Sequence, residues 1–109
     1  MTTTAAFSSL PDLPGLIEVQ TESTVSRTVL RAAGVRVVLF AFDTGQELTE
    51  HTAAMPVLLQ VLSGRLGITA DGRTEDLVPG GLMHLETRTP HAVYAHEPST
   101  LMLTMLDPR

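Results

Sequence analysis

Short apolar runs alternate with turn residues along most of the chain, and this pattern predicts β-strands. Residues 25–32 and 35–43 are rich in β-branched and aromatic side chains and flank a turn at Ala33-Gly34. Asp71-Gly72 predicts a tight hairpin, because a type I′ turn needs a positive φ at both central residues. Further strands are predicted over residues 16–20, 57–62, 65–70, 74–78, 82–85, 91–96 and 100–106. Short strands at this spacing, without a long segment of helical period, indicate an all-β sandwich or barrel.

The first 24 residues differ in character from the rest. Residues 1–14 are small and polar and contain two prolines, so we expect a loose N-terminal arm over residues 1–24, with a helical turn near residues 7–10 and one short strand at 16–20. Residues 25–109 then form the barrel domain itself. A chain of 109 residues is a single domain by its length.

Three of the predicted strands are apolar on both faces, namely residues 35–42, 57–62 and 101–106. An antiparallel sheet that leaves one face in water shows strict alternation instead. With so little helix predicted, something else has to cover the outer face. We expect a second copy of the chain in a twofold homodimer, and the N-terminal arm is the alternative cover.

Composition restricts the class of partner. Twelve acidic residues outnumber seven basic ones, and no cluster of Lys and Arg offsets this excess, so nucleic acid is not an expected partner. The absence of cysteine rules out disulfides and thiolate chemistry and fits a cytoplasmic location. The N-terminus lacks the basic start and apolar run of a signal peptide, and no stretch reaches the roughly 18 apolar residues of a membrane span. No membrane association is expected.

Histidines are the main candidates for chemistry, because neutral imidazole binds zinc, iron, copper and nickel. His51 and His91 each lie in a polar loop beside a predicted strand, where the mouth of a barrel would be. His84 alternates with Met83 and Leu85, so it should lie on the opposite face of its strand. The four histidines of the chain are His51, His84, His91 and His96.

Glycines and histidines recur at a defined spacing in two stretches. Gly45 is followed after five residues by His51, and Gly64 closes this first stretch. Gly80 opens the second stretch, which contains His91. Over roughly residues 30–106, this spacing and the strand pattern around it resemble the two motifs of small single-domain cupins.

The resemblance implies an antiparallel double-stranded β-helix, that is, a jelly-roll barrel of the cupin type with one pocket. It also implies a metal held by three histidines and a glutamate, of which only His51 and His91 are present. Ala53 stands at the position of the other first-motif histidine, and Val57 stands at that of the glutamate. The proline, glycine and asparagine of the second motif are replaced by Glu86, Arg88 and Ala95.

The two remaining histidines define the expected metal site, with zinc, iron, nickel or manganese as the divalent ion. Catalytic zinc generally has three protein ligands, so a further ligand would have to be recruited. Alternation places Gln60 on the face away from Val57 and Val61, so only a bulge would turn it inward. The candidate third ligands are Gln60, His84, Glu47, Glu50 and Glu86.

Three functions stay open at this point. The first is binding of a small molecule in the barrel, with His51 and His91 as polar anchors. The second, implied by the resemblance, is a metal-dependent dioxygenase, isomerase, decarboxylase or lyase. The third is a non-catalytic dimeric sensor or structural module. The missing metal ligands favour the first, and its predicted pocket residues are His51, Val57, Leu59, Val61, Met83, His84, Leu85 and His91.

Overall fold

The computed structural model describes residues 6–107. A short 3-10 helix, Pro14–Leu16, precedes nine antiparallel strands within this range. The strands are β1 (Thr24–Ala32), β2 (Val35–Phe42), β3 (Glu47–His51), β4 (Val57–Ser63), β5 (Leu66–Ala70), β6 (Arg73–Leu77), β7 (Leu82–Leu85), β8 (His91–Ala95) and β9 (Ser99–Leu106). They form a five-stranded sheet in the order β1-β2-β9-β4-β7 and a four-stranded sheet in the order β3-β8-β5-β6. The predicted all-β, antiparallel class is confirmed.

The main core lies between the two sheets. Every second side chain of β2, β4 and β9 points inward and packs against the inward-facing side chains of β5 and β8. Five of the largest side chains of this core are completely buried. These five are Phe42, Leu59, Leu66, Ile68 and Leu101. This core fixes the register of both sheets, because a slip by one residue would turn every apolar side chain to the other face.

The outer face of the five-stranded sheet carries a second cluster, formed by Val29, Val37 and Leu39. The N-terminal arm packs against it, and the Arg27 guanidinium donates a hydrogen bond of 2.9 Å to the Leu16 carbonyl. The expectation of a loose arm is therefore wrong for this part of the chain. The arm covers part of the outer sheet face that we expected a second copy of the chain to cover. The arm residues packed against the cluster are Leu10, Leu13, Leu16 and Ile17.

Two further sequence expectations are wrong. Residues 16–20 do not form a strand, since Pro14 begins the 3-10 helix Pro14–Leu16, and residues 7–10 are not helical. Strand β3 was not predicted, because Leu48 is its one apolar residue. Its position is set instead by pairing with β8, through Glu47 opposite Tyr94 and Leu48 opposite Val93.

Two glycine-containing turns hold the strands in place. Asp71 and Gly72 have φ of 51° and 74°, which confirms the predicted hairpin. Gly64 has a φ of 82°, and a Cβ at this position would collide with the Ser99 hydroxyl and the Pro98 carbonyl. Gly64 is therefore required both for its backbone conformation and for the close approach of the chain after β8.

Part of the sequence reasoning stays a prediction. The division into an arm of residues 1–24 and a barrel of residues 25–109 is one such part, and residues 1–5 and 108–109 lie outside the described range. Within residues 6–107, no helix is long and apolar enough to cross a membrane. The cytoplasmic location also stays a prediction.

Candidate functional site

One row of side chains crosses the inner face of the four-stranded sheet at a single level. His51 on β3 is paired with His91 on β8, and His91 is also paired with Ala70 on β5. Ala70 is paired in turn with Arg73, the first residue of β6. His91 shares its strand face with Val93, a member of the main core, so the row points toward the facing sheet.

The two histidines of this row lie in direct contact. Their ring centroids are 4.4 Å apart and their ring planes are inclined by 55°. The Nδ1 atoms of His51 and His91 each lie 2.8 Å from a backbone carbonyl oxygen two residues earlier, of Thr49 and Thr89 respectively. A carbonyl can only accept, so each Nδ1 carries the hydrogen and donates it. In the neutral rings, each Nε2 is therefore left with a free lone pair.

The Nε2 atom of His91 is buried and has no hydrogen-bond partner. His91 is only 2% exposed, whereas His51 lies exposed at the edge of the site. An unsatisfied polar atom in the interior costs about 1–3 kcal/mol. A ligand that offers a donor or a cation to this atom would recover that free energy.

The donor set at this position is too small for a resident metal ion. Across residues 6–107, no group of three or more His, Cys, Asp or Glu side chains is arranged to hold a metal. Ala53 packs against the main core and Val57 is 1% exposed, so the motif positions beside the pair supply no ligand atoms. Two neutral imidazoles fit part of a coordination shell, and they do not complete one.

Three of the candidate third ligands lie away from the pair, and Glu50 and Glu86 do not complete a group of three ligands within residues 6–107. His84 is paired with Leu58, and Gln60 with Leu82, on the outer face of the five-stranded sheet, because the alternate residues Met83 and Leu85 face the core. Glu47 pairs with Tyr94, whose side chain lies on the outer face of the other sheet. Alternation along β4 and β7 therefore separates these groups from the histidines.

The apolar pocket residues predicted from the sequence fall into two groups. Val57, Leu59 and Val61 belong to the packed core between the sheets, with exposures of 1%, 0% and 3%. Met83, His84 and Leu85 line a cavity of about 340 Å³, whereas His51 and His91 do not line it. The cavity approaches His91 through Ala70, its register partner, and Thr89, its hydrogen-bond partner. Its complete lining is Ala70, Asp71, Arg73, Glu75, Met83, His84, Leu85, Glu86 and Thr89. A volume of this order is at the lower end of the range found for small-molecule sites.

Sequence reasoning did not single out the arginines that flank the site. Arg73 belongs to the histidine row, and Arg36 lies on the facing sheet, where its guanidinium contacts the Met105 sulfur. The available signal was the position of Arg36 within the otherwise apolar strand VRVVLFAF.

Comparison with known proteins identifies the architecture. No protein-family model matches the chain, and no curated protein matches it. A cupin superfamily protein from Desulfitobacterium hafniense has 25% identical residues and a TM-score of 0.83, over 94% of this chain and 99% of that one. A conserved protein of unknown function from Streptococcus pyogenes is equally similar, with 25% identity and a TM-score of 0.83 over 98% and 94% of the two chains.

A more distant likeness agrees with these two. KdgF from Halomonas sp. has 22% identity and a TM-score of 0.73, over 85% of this chain and 87% of that one, and this likeness shows the fold alone. The resemblance inferred from the glycine and histidine spacing is thereby confirmed. The chain has the fold of a small cupin domain.

Proposed function

We propose that this cupin domain binds a small molecule at the mouth of its barrel, through the Nε2 atoms of His91 and His51. The observation that carries the proposal is the buried Nε2 of His91, which has no partner within the protein. Its lone pair can accept a hydrogen bond, and the rigid Nδ1 contact with Thr89 fixes its direction. The ligand is accordingly a molecule with an O–H or N–H donor.

The surroundings of the pair support a ligand of mixed character. Ala70, Met83 and Leu85 give the adjoining cavity of about 340 Å³ an apolar wall, while Arg73 and Glu75 give it a charged rim. Pockets of this kind bind mainly by apolar burial, and a few polar groups set the orientation. The similar Streptococcus pyogenes protein is of unknown function, so this likeness supplies no substrate.

Phenol and anisole test the proposal, because the two molecules share the ring and differ in the O–H donor. We expect phenol to shift the imidazole signals of His91 and His51 in an NMR titration and to bind more tightly than anisole. His91→Phe should abolish this preference, whereas His96→Phe, outside the pair, should preserve it. Equal binding of phenol and anisole by the wild type would refute the donor requirement.

A metal-dependent enzyme is the second candidate function. Two neighbouring imidazoles, each with a fixed Nδ1–H, supply two of the ligands that a divalent ion such as zinc, iron, nickel or manganese needs. The ion would need ligand atoms from the substrate, and it would act as a Lewis acid. Elemental analysis of chelator-free protein decides this point. Near-stoichiometric metal that disappears in a His51→Ala, His91→Ala variant supports the enzyme, and metal-free protein that takes up no added ion excludes it.

We also propose that the domain forms a homodimer through the part of the five-stranded sheet that the arm leaves open. Leu82 is 59% exposed on β7, and its neighbours on the outer face of β4 and β9 include Leu58 and Leu106, both only half-buried. Apolar side chains on this face alternate with Gln60, His84 and Thr104, and a mixed surface of this kind can pair with a second copy of itself about a twofold axis.

A further inference from the structure

The two sheets end in β6 and β7, which are joined by the short segment of residues 78–81. Each of these strands pairs with one neighbour alone, β6 with β5 and β7 with β4. The cavity of about 340 Å³ lies between their inner faces. Strand β7 contributes Met83 and Leu85 to its lining, and β6 contributes Arg73 and Glu75. The barrel is therefore accessible to a small molecule along this edge.

Glu75 is a carboxylate on the inner face of the barrel. It is the register partner of Ile68, a completely buried member of the main core, and Leu77 on the same face of β6 packs against that core. Its neighbour Asp76, on the outer face, forms two ion pairs. Glu75 has neither an ion pair nor a side-chain hydrogen bond within residues 6–107. An inward-facing carboxylate without a partner indicates a role toward a ligand.

Acidic side chains outnumber basic ones around this cavity. With histidine counted as neutral, the lining contains the carboxylates of Asp71, Glu75 and Glu86 against the guanidinium of Arg73. None of these four groups forms an ion pair within the described part of the chain. A cleft that combines an apolar wall with one prevailing sign of charge concentrates ligands of the opposite sign. The net charge of −5 on the whole chain acts in the same direction, so the lining favours a cation.

The carboxylates surround a space instead of converging on one point. Across residues 6–107, no group of three His, Cys, Asp or Glu side chains could hold a metal ion. A metal ion needs several ligand atoms around one centre, whereas an ammonium group is also attracted by carboxylates at longer range. Met83 and Leu85 supply the apolar contacts that the body of an organic molecule needs. The cavity thus fits an organic cation better than a metal ion.

A buried acceptor lies beside this cavity. The Nε2 atom of His91 has no partner, and His91 is only 2% exposed. Its register partner Ala70 and its hydrogen-bond partner Thr89 both line the cavity. Ala70 is also the register partner of Arg73, and its small side chain leaves room between the histidine and the charged groups. Neighbouring strands are about 4.8 Å apart, so a molecule that extends past Ala70 can reach His91.

We propose that the small molecule bound by this domain is an organic cation, namely an amine that also carries a hydroxyl group. Its ammonium group lies among the carboxylates of Glu75, Glu86 and Asp71, and its O–H end is directed to His91. The proposal rests on the proposed small-molecule function and specifies the ligand class. Glu75 is the principal contact because it leaves the inner face of the barrel, and Arg73 opposes the cation.

Three phenols of similar size test the charge requirement. Tyramine, para-ethylphenol and para-hydroxyphenylacetate share the hydroxyphenyl group and carry a positive charge, no charge and a negative charge. We expect calorimetric titration of the full chain at low ionic strength to give about fivefold tighter binding of tyramine than of para-ethylphenol. The acetate should bind most weakly. Added salt should reduce the difference, because exposed charges are screened.

Opposite effects of two substitutions assign the preference to this cavity. Glu75→Gln should weaken tyramine binding about fivefold and leave para-ethylphenol binding unchanged, which also shows that the variant is folded. Arg73→Gln should tighten tyramine binding, because it removes a like charge from the lining. Glu47→Gln is the control, since it makes the same change in net charge on the outer face of the same sheet, outside this lining. Its effect should stay below about twofold.

A fourth probe tests the direction of the hydroxyl group. Phenethylamine has the ring and the ammonium group of tyramine and lacks the O–H donor. It should bind the wild type more weakly than tyramine does, and the two amines should bind His91→Phe equally. A tyramine advantage that persists in His91→Phe would overturn the placement of the hydroxyl end at this histidine.

The outcomes separate this proposal from the proposed function. Absence of tyramine binding, equal binding of tyramine and para-ethylphenol, or an equal loss in Glu75→Gln and Glu47→Gln overturns the cation assignment. The histidine-dependent preference for phenol over anisole would be untouched by that result. Equal binding of phenol and anisole, together with a Glu75-dependent preference for tyramine over para-ethylphenol, would instead refute the donor role of the histidines and leave the cation site in place.

Discussion

His51 and His91 lie opposite each other on neighbouring strands, with ring centroids 4.4 Å apart. The two residues are held in the same way, each by an Nδ1–H contact to the carbonyl of the residue two positions earlier. They differ in burial, because His91 is enclosed and His51 is exposed. This difference implies that His91 contributes the fixed end of the site and His51 the accessible end.

Replacing His91 by leucine should leave the stability of the ligand-free protein almost unchanged. The substitution removes one hydrogen bond to Thr89, worth about 1 kcal/mol, and also removes an unsatisfied buried nitrogen that costs about 1–3 kcal/mol. The two effects oppose each other, so we expect a change in the free energy of unfolding within about 1 kcal/mol, measured by urea denaturation. The preference for phenol over anisole should be lost in the same variant.

A larger loss of stability would contradict this interpretation. If His91→Leu destabilised the protein by about 3 kcal/mol or more, as a cavity-forming core substitution does, His91 would be a structural residue. His51→Ala is the matched control, because this side chain is exposed and its replacement should change stability by less than about 0.5 kcal/mol.

A third imidazole should convert the histidine pair into a metal site. The motif resemblance assigns a histidine to the position of Ala53, which packs beside the core near the end of β3. Ala53→His should therefore strengthen zinc binding by at least tenfold, measured by calorimetric titration, because structural and catalytic zinc sites use three or more protein ligands. Ala54→His places the same group on an exposed neighbouring residue. Equal zinc affinity in the two variants would show that Ala53 does not face the pair.

Leu82 allows a direct test of the proposed dimer. At 59% exposure it is the most exposed apolar residue of the outer sheet face, and it does not belong to either packed cluster. We expect light scattering after size exclusion to give twice the chain mass of 11.7 kDa for the wild type and the single mass for Leu82→Glu. Val78→Glu, on an exposed loop residue, is the control. A monomeric wild type would exclude the interface.

Much of the fold could be predicted because local signals and packing agree in most strands. The hairpin at Asp71-Gly72 and the apolar strands of the core follow from turn chemistry and period-two alternation. The recurrence of Gly45, His51 and His91 was enough to indicate that the two histidines share one barrel mouth.

The remainder depended on tertiary contacts that leave no local pattern. Strand β3 is polar at four of its five positions and is ordered by pairing with β8. The arm residues Leu13 and Leu16 are spaced irregularly, and only the surface formed by β1 and β2 gives them a binding partner. The contact of Arg36 with the Met105 sulfur likewise depends on the pairing of β2 with β9, which the sequence does not specify locally.

Asp43 should make the fold sensitive to acid. Hydrogen bonds from the backbone N–H groups of Glu22 and Thr44 hold the pKa of its carboxyl below the ordinary value. A depressed folded-state pKa gives stability that is present above the unfolded value of about 3.9 and is lost as the pH falls through the folded value. Asp43→Asn should remove this component of the pH dependence, which urea denaturation at a series of pH values below 5 would measure. An unchanged acid profile in the variant would show that other carboxyl groups dominate.

Arg88 occupies a backbone conformation that favours glycine. Its φ is 60°, and its N–H donates a hydrogen bond of 2.9 Å to the Ala53 carbonyl, so the turn before β8 is fixed in this shape. A left-handed conformation costs roughly 1–2 kcal/mol for a residue with a Cβ, and replacement by glycine removes this cost. Glycine also loses more conformational entropy on folding, which lowers stability by about 0.5–1 kcal/mol. Arg88→Gly should therefore raise the free energy of unfolding by about 0.5–1 kcal/mol, measured by urea denaturation.

The neighbouring Thr87 supplies the control, because it does not have a positive φ. Thr87→Gly gains no relief of backbone strain and should lower stability by about 0.5–1 kcal/mol. A decrease in both variants would mean that the Arg88 side chain stabilises the turn by more than its backbone strain costs. An increase in the free energy of unfolding for Arg88→Gly together with a decrease for Thr87→Gly would show that the strain is real. The turn that positions His91 and Thr89 would then keep its shape through the backbone contact to Ala53.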